Sequence, residues 1–163
     1  MFALDNDYSF GILQSSLHWV WFTERCSTLK SDPRYTSNTV FDSFPWPQNP
    51  SVSVVKKVAV AAISLRQKRR ELRQKHRLSF RDLYRSLELP GDHALKAVHG
   101  ELDRAVREAY GLDANDEPFG FLPDLNFALA QSEADGNVIQ AAGLPSFIND
   151  KAAYVTTDSI SMQ

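Results

Sequence analysis

Phe10, Leu13, Leu17, Val20 and Trp21 recur at intervals of three and four residues, the spacing of one helical face. This pattern predicts one amphipathic helix from Asp7 to about Arg25, with Asp7 as its N-cap and His18, Trp19 and Phe22 widening the apolar face. Gly11 lies inside it, where glycine costs up to about 1 kcal/mol relative to Ala, so close approach by another backbone is expected. A longer stripe of Val55, Val58, Ala62, Leu65 and Leu72 predicts a helix from Ser51 to about His76. A third start is written at Leu78-Ser-Phe-Arg-Asp-Leu, with Ser79 as N-cap, Asp82 completing an approximate capping box and Leu78 stapled to Leu83. This helix stops at Pro90-Gly91. The next begins near Asp92 and carries Leu95, Val98, Leu102, Ala105 and Ala109 to Tyr110, with Gly111 ending it. Leu83, Leu87, Leu102, Val106 and Tyr110 are expected in the core. Asp113 to Pro118 reads as a polar loop, Pro123 to about Ala134 as a short helix, and Gly136 onward as loose chain.

Between the first two helices the pattern breaks. Cys26 to Pro47 crowds Lys30, Asp32, Arg34, Tyr35, Ser37 and Asn38 ahead of a proline-locked aromatic exit, Phe44-Pro-Trp-Pro. Polar side chains on a loop held by rigid flanks are suited to recognition. Within it, Thr39-Val40-Phe41 is β-favouring, so Thr36 to Phe41 is predicted as a short strand. The prolines at 45, 47 and 50 exclude both helix and central strand, which makes Pro45 to Ser51 the candidate linker.

Charge changes the picture more than composition does. The chain has 163 residues, enough for one core or one core plus a small subdomain, and its 18 Lys+Arg nearly balance 20 Asp+Glu. The balance is segregated: residues 51–85 hold eleven Lys or Arg against two acids, and residues 86–163 hold four against thirteen. Residues 66–75 are basic nearly all round, so that helix end projects into solvent or onto an anion. A phosphate backbone fits, with Arg66, Lys68, Arg69, Arg70 and Arg73 as contacts. A solvated helix end with cations at the C-terminal dipole is the competing reading.

The chemistry of catalysis is missing. The sequence contains no Gly-x-Gly-x-x-Gly, no phosphate-binding loop ending Gly-Lys-Ser/Thr, no His-Glu-x-x-His and no Gly-x-Ser-x-Gly. Asp113 and Asp116 sit in a polar loop with nothing apolar to raise a pKa. His18 has no partner at metal-ligand spacing, and His93 and His99 fall on different helix faces, so no metal is expected. The one cysteine, Cys26, excludes an intrachain disulfide framework, which fits a reducing cytoplasm. No apolar run approaches the roughly 18 residues of a membrane span, and no signal-peptide pattern opens the chain. A cytoplasmic protein without a membrane partner is the expectation.

Gly11-Ile-Leu-Gln-Ser-Ser, Cys26-Ser-Thr-Leu-Lys-Ser-Asp-Pro-Arg-Tyr-Thr and Val40-Phe-Asp-Ser-Phe-Pro-Trp-Pro together resemble the end of the target-recognition domain in single-chain type II restriction–modification DNA methyltransferases of the MmeI-like class. Leu78-Ser-Phe-Arg-Asp-Leu-Tyr-Arg-Ser-Leu-Glu-Leu-Pro-Gly and Leu102-Asp-Arg-Ala-Val-Arg-Glu-Ala-Tyr-Gly resemble their helical C-terminal domain. The resemblance implies a mainly α fold: a helical C-terminal bundle with a small α+β N-terminal remnant of a target-recognition domain. It implies residues 1–50 as the end of that domain, 51–145 as the helical domain and 146–163 as a flexible tail.

The resemblance further implies a fragment of an N6-adenine methyltransferase that recognises double-stranded DNA and works with a methyltransferase catalytic domain. The family's S-adenosylmethionine loop and Asn-Pro-Pro-Tyr-type motif are absent, so no catalytic or cofactor residue is assigned in this chain, and the cofactor is expected in the catalytic domain. By position, Lys30, Asp32 and Arg34 are the implied base readers. Lys30 can donate to guanine O6 and N7 and Asp32 can accept from cytosine N4, reading both partners of one G·C pair, while Arg34 suits a neighbouring guanine. Tyr35, Ser37 and Asn38 suit backbone phosphates. The alternative is a helical interaction domain whose basic helix docks on a protein and never touches DNA.

Overall fold

The computed structural model describes residues 4–29, 32–113 and 115–158. Six helices account for most of them: α1 (Asp7–Gln14), α2 (Ser16–Arg25), α3 (Val52–His76), α4 (Phe80–Arg85), α5 (Ala94–Ala109) and α6 (Pro118–Ala134). The mainly α class that the resemblance implies is what the described residues adopt. Among the described residues the one sheet is an antiparallel hairpin of β1 (Ser27–Leu29) and β2 (Asp32–Arg34), with Ser27 opposite Arg34.

α3 is the element the others pack on. Ser51 caps it, its hydroxyl accepting from the Val54 amide at 3.3 Å, and Arg77 ends it in the left-handed conformation at φ 51°. Arg73, Lys75 and His76 in the last turn complement the helix dipole. Val54, Val55, Val58, Ala59, Ala62 and Leu65 form its buried stripe, which packs against α1 and α5. Gly11 of α1 lies where the two helices cross: a Cβ there would stand 2.8 Å from Val58 Cγ1 and 3.2 Å from the Val58 carbonyl oxygen. The expected close approach of a second backbone is therefore present. α5 contributes Leu95, Leu102, Val106 and Ala109, all buried, and Leu83 of α4 joins them; Leu87 and Tyr110 are partly buried against the same cluster.

Four expectations are corrected. The first amphipathic segment is two helices, because Ser15 is extended (φ −77°, ψ 160°) and serves as C-cap of α1 and N-cap of α2. Its hydroxyl donates to the Ile12 carbonyl at 2.7 Å and accepts from the His18 amide at 3.3 Å, satisfying groups on both sides of the break. The N-cap of α1 is Asn6, which accepts from the Ser9 amide at 2.8 Å, while Asp7 is buried in the first turn. Residues 37–41 form a π-helical turn (Ser37–Phe41), closed by the Asp42 amide on the Ser37 carbonyl at 2.8 Å, and no strand. Tertiary burial of Val40 and the donation of Trp21 Nε1 to its carbonyl at 3.0 Å override the β propensity. α6 starts at Pro118, suited to the first helical position, and runs through Pro123 five residues later.

The proline-rich exit is core. Phe44, Pro45, Trp46, Pro47 and Pro50 are all buried. Tyr110 donates its hydroxyl to the Pro45 carbonyl at 2.8 Å, and Asn126 of α6 donates to the Ser43 carbonyl at 2.7 Å. Gln48 and Gln140 form a reciprocal pair: the Gln140 amide donates to Gln48 Oε1 at 2.9 Å and Gln48 Nε2 donates to the Gln140 carbonyl at 3.2 Å. The segment after Pro145, expected to be flexible, places Ile148 and Tyr154 in the core and forms a 3-10 turn (Lys151–Tyr154). Apolar contact supplies order there that periodicity did not reveal.

Candidate nucleic-acid interface

The polar stretch emerges from α2 as the β1–β2 hairpin and returns through the π-helical turn. Lys30 lies outside the described residues. Asp32 and Arg34 bound β2, two residues apart on one strand, and Arg34 is exposed.

Tyr35 anchors the hairpin's exit to α2. Its ring stacks on Phe22 at 5.5 Å between centroids, and its hydroxyl lies 3.1 Å from His18 Nε2. His18 is only 8% exposed and meets the edge of Phe44 at 4.9 Å. Burial lowers its pKa to about 4, so the ring is neutral at physiological pH. Burial also raises the Tyr35 pKa, as does nearby Asp42. The histidine thus positions the Tyr35 hydroxyl, a role that helical spacing alone did not disclose. Ser37 donates to Asn38 Oδ1 at 3.1 Å, and both residues are exposed beside Tyr35. The structure therefore brings Arg34, Tyr35, Ser37 and Asn38 together at one exposed edge.

The basic residues of α3 divide into inward and outward sets. Arg66 turns inward: its side chain is 14% exposed, pairs with the buried Asp7 carboxylate and lies over the Phe10 ring at 4.5 Å. Burial, with Arg70 and Arg69 nearby, lowers its pKa from the ordinary arginine range, and Asp158 opposes that shift. Arg69 donates to Gln14 Oε1 at 2.7 Å and lies 5.4 Å over the Tyr84 ring; burial lowers its pKa too. The Tyr84 hydroxyl in turn lies 3.0 Å from His99 Nε2.

Lys68, Arg70 and Arg73 reach the surface. Lys68 donates to Glu71 at 2.6 Å, and that bond holds the Glu71 carboxyl below its usual range. Arg70 pairs with Asp158, and Arg73 lies over Phe80 at 3.9 Å with its Nε donating to the Leu78 carbonyl at 3.3 Å. Arg66, Arg69, Arg70, Arg73 and Arg77 together line a cleft of about 560 Å³. The sequence reading did not include Arg77; its spacing of four from Arg73 placed it on the same helical face.

Among the described residues, no group of three or more His, Cys, Asp or Glu is placed to hold a metal, and no helix is long and apolar enough to cross a membrane.

Residues 2–48 match the family model described as MmeI, target recognition domain. DNA methyltransferase A of Bacillus subtilis (strain 168) is 30% identical over 103 residues, covering 63% of this chain and 11% of that protein. A solved structure of the Type IIL restriction–modification enzyme MmeI in complex with DNA superposes with a TM-score of 0.66 at 26% identity, covering 77% of this chain and 16% of that one. The chain thus spans a small part of both relatives. The matched residues 2–48 contain α1, α2, the hairpin and the π-helical turn, the same elements that build the exposed polar edge. The chain is thus similar to the MmeI-like restriction–modification DNA methyltransferases, and its residues 2–48 match their target recognition domain.

Proposed function

We propose that this chain is the DNA-reading part of a type II restriction–modification N6-adenine methyltransferase, giving sequence choice and phosphate contacts to a catalytic domain it does not itself contain. The observation that carries this reading is the coincidence of the matched target recognition domain with the exposed edge at Arg34, Tyr35, Ser37 and Asn38. Lys30, Asp32 and Arg34 read base edges in the major groove, where lysine and arginine select guanine and aspartate selects cytosine. Tyr35, Ser37 and Asn38 take neighbouring phosphates. Lys68, Arg70 and Arg73 add sequence-independent affinity through counterion release. Arg66 and Arg69 hold α1 and α4 to α3, so their part in phosphate contact is through the positive field they add. S-adenosylmethionine and the methyl-transfer chemistry belong in this reading to the catalytic domain.

A second reading is docking of the basic helix on an acidic protein surface. Fluorescence anisotropy with a labelled mixed-sequence duplex, titrated across salt, separates the two. The DNA reading expects affinity to fall steeply with salt and to drop again in a Lys68→Ala/Arg70→Ala/Arg73→Ala variant. Absence of duplex binding at low salt overturns it for the isolated chain. Exchanging Lys30 and Asp32 in a whole enzyme tests base reading separately, and an unchanged target site would remove those residues from the role.

A further inference from the structure

The arginine cleft carries more than a general basic surface would. Its five arginines, at positions 66, 69, 70, 73 and 77, fall on one face of the C-terminal half of α3 and its cap. Like charges three and four residues apart on a helix repel one another, so such a face requires an anion or internal partners to offset the repulsion. Only some of that compensation is internal. Asp7 pairs with Arg66, and among the described residues Asp158 is the one carboxylate that lines the cleft itself. The guanidinium of Arg77 has no hydrogen-bond or ion-pair partner among the described residues. Phe10 and Phe80 form apolar walls over which guanidinium groups lie, with Cζ 4.5 Å from the ring centre for Arg66 and 3.9 Å for Arg73. A cation held over an aromatic face in this way is positioned by the ring without using its N–H donors.

Asp158 reaches the cleft because the segment before it is anchored. Tyr154 is buried, Asp150 accepts from the Ala153 amide at 3.3 Å, and Thr156 donates to Asp7 Oδ1 at 3.2 Å. Asp158 then pairs with Arg70 while remaining 32% exposed, and the Arg70 side chain remains 54% exposed. A carboxylate presents two oxygens to a guanidinium much as a phosphate does.

We infer that the cleft is a pocket for one phosphate group of a nucleic-acid backbone, and that Asp158 is its internal stand-in, displaced when the phosphodiester enters. The inference rests on the DNA reading for the source of the phosphate, though the pocket itself does not depend on it. Asp158 weakens nonspecific binding by competing for Arg70, so the grip tightens only where other contacts hold the duplex in place.

The test uses the whole chain and two probes. Pyrophosphate is titrated while the arginine Nε–Hε resonances are followed by NMR, and duplex binding is followed by anisotropy, each for the unmodified chain, Asp158→Asn, Arg70→Ala/Arg73→Ala, and Asp124→Asn as a control of equal charge change. Pyrophosphate is expected to move the Arg70, Arg73 and Arg77 signals more than those of Arg104 and Arg107. Asp158→Asn is expected to tighten both probes by about two- to fivefold, the scale of one exposed ion pair, with Asp124→Asn having a smaller effect. The double arginine variant is expected to lose the pyrophosphate response. Equal shifts at all arginines, or equal effects of Asp158→Asn and Asp124→Asn, would overturn the pocket. A pyrophosphate response tightened by Asp158→Asn, without any duplex binding, would retain the anion pocket and overturn nucleic acid as its source.

Discussion

Gly11 sits against Val58 with no room for a side chain: a Cβ at Gly11 would be 2.8 Å from Val58 Cγ1 and 3.2 Å from both the Val58 carbonyl oxygen and Ala62 Cβ. Gly11→Ala therefore forces α1 away from α3. Overpacking costs about 1–3 kcal/mol, against about 1 kcal/mol gained in helix propensity, so a net loss is expected in denaturant unfolding. Gly100→Ala, on α5 with nothing within 4 Å of its added Cβ, should instead stabilise by about 0.5–1 kcal/mol. Two glycine substitutions of the same kind thus move stability in opposite directions, and a gain at Gly11 would refute the close crossing.

Arg66 and Arg70 are four residues apart on one helix and should fail differently. Arg66→Ala leaves the Asp7 carboxylate buried without its partner, a change worth about 3–5 kcal/mol when such a pair is fully desolvated; thermal unfolding should show a large loss. Arg70→Ala breaks an exposed pair worth about 0–1 kcal/mol, so stability should hardly change while duplex affinity falls. Equal thermal losses in the two variants would contradict the inward and outward assignment.

The neutral His18 gives the fold a pH dependence of defined sign. Its pKa falls from the ordinary 6.5 to about 4 on folding, so the unfolded chain binds the extra proton first as pH drops. Its contribution is complete above pH 6.5, declines as pH falls toward 4, and amounts to on the order of 3 kcal/mol across that window. Urea midpoints measured between pH 4 and 7 should therefore slope upward with pH. In a His18→Gln variant that slope should flatten, and an undiminished slope would assign it to other groups.

Ser15 tests the break in the first helical segment. Ser15→Ala removes the N-cap of α2, at a cost of about 0.5–2 kcal/mol. Because α2 leads directly into the hairpin, the amides of residues 16–18 should exchange faster with solvent than those of α5. Unchanged protection there would mean that the cap does not hold α2.

These sites also show what the sequence made legible. The apolar stripes of α3 and α5, the Ser51 and Ser79 caps and the tightness at Gly11 were readable because each follows from spacing or from one residue's local chemistry. The Ser15 break was masked, since Leu13 and Leu17 keep helical spacing across a residue that is itself extended. The π-helical turn was unreadable from Thr39-Val40-Phe41, because what selects it is Trp21, nineteen residues before Val40. For the candidate site, exposure of Arg34, Ser37 and Asn38 agrees with the polar loop expected there. The inward turn of Arg66 and Arg69 depends on Asp7, Gln14 and Tyr84, partners that no local pattern in residues 66–75 identifies.

The reciprocal bonds between Gln48 and Gln140 make each segment the other's backbone partner across 92 residues of chain. Val138, just before that clasp, is fully exposed, and Gly136 has a positive φ of 81°. A protease cutting there would sever the polypeptide without separating its parts, since Ile148 and Tyr154 stay in the core beyond the cut. The nicked protein should elute as one body and come apart only on denaturation, which makes the 136–138 turn the natural place to split the chain into two complementing fragments.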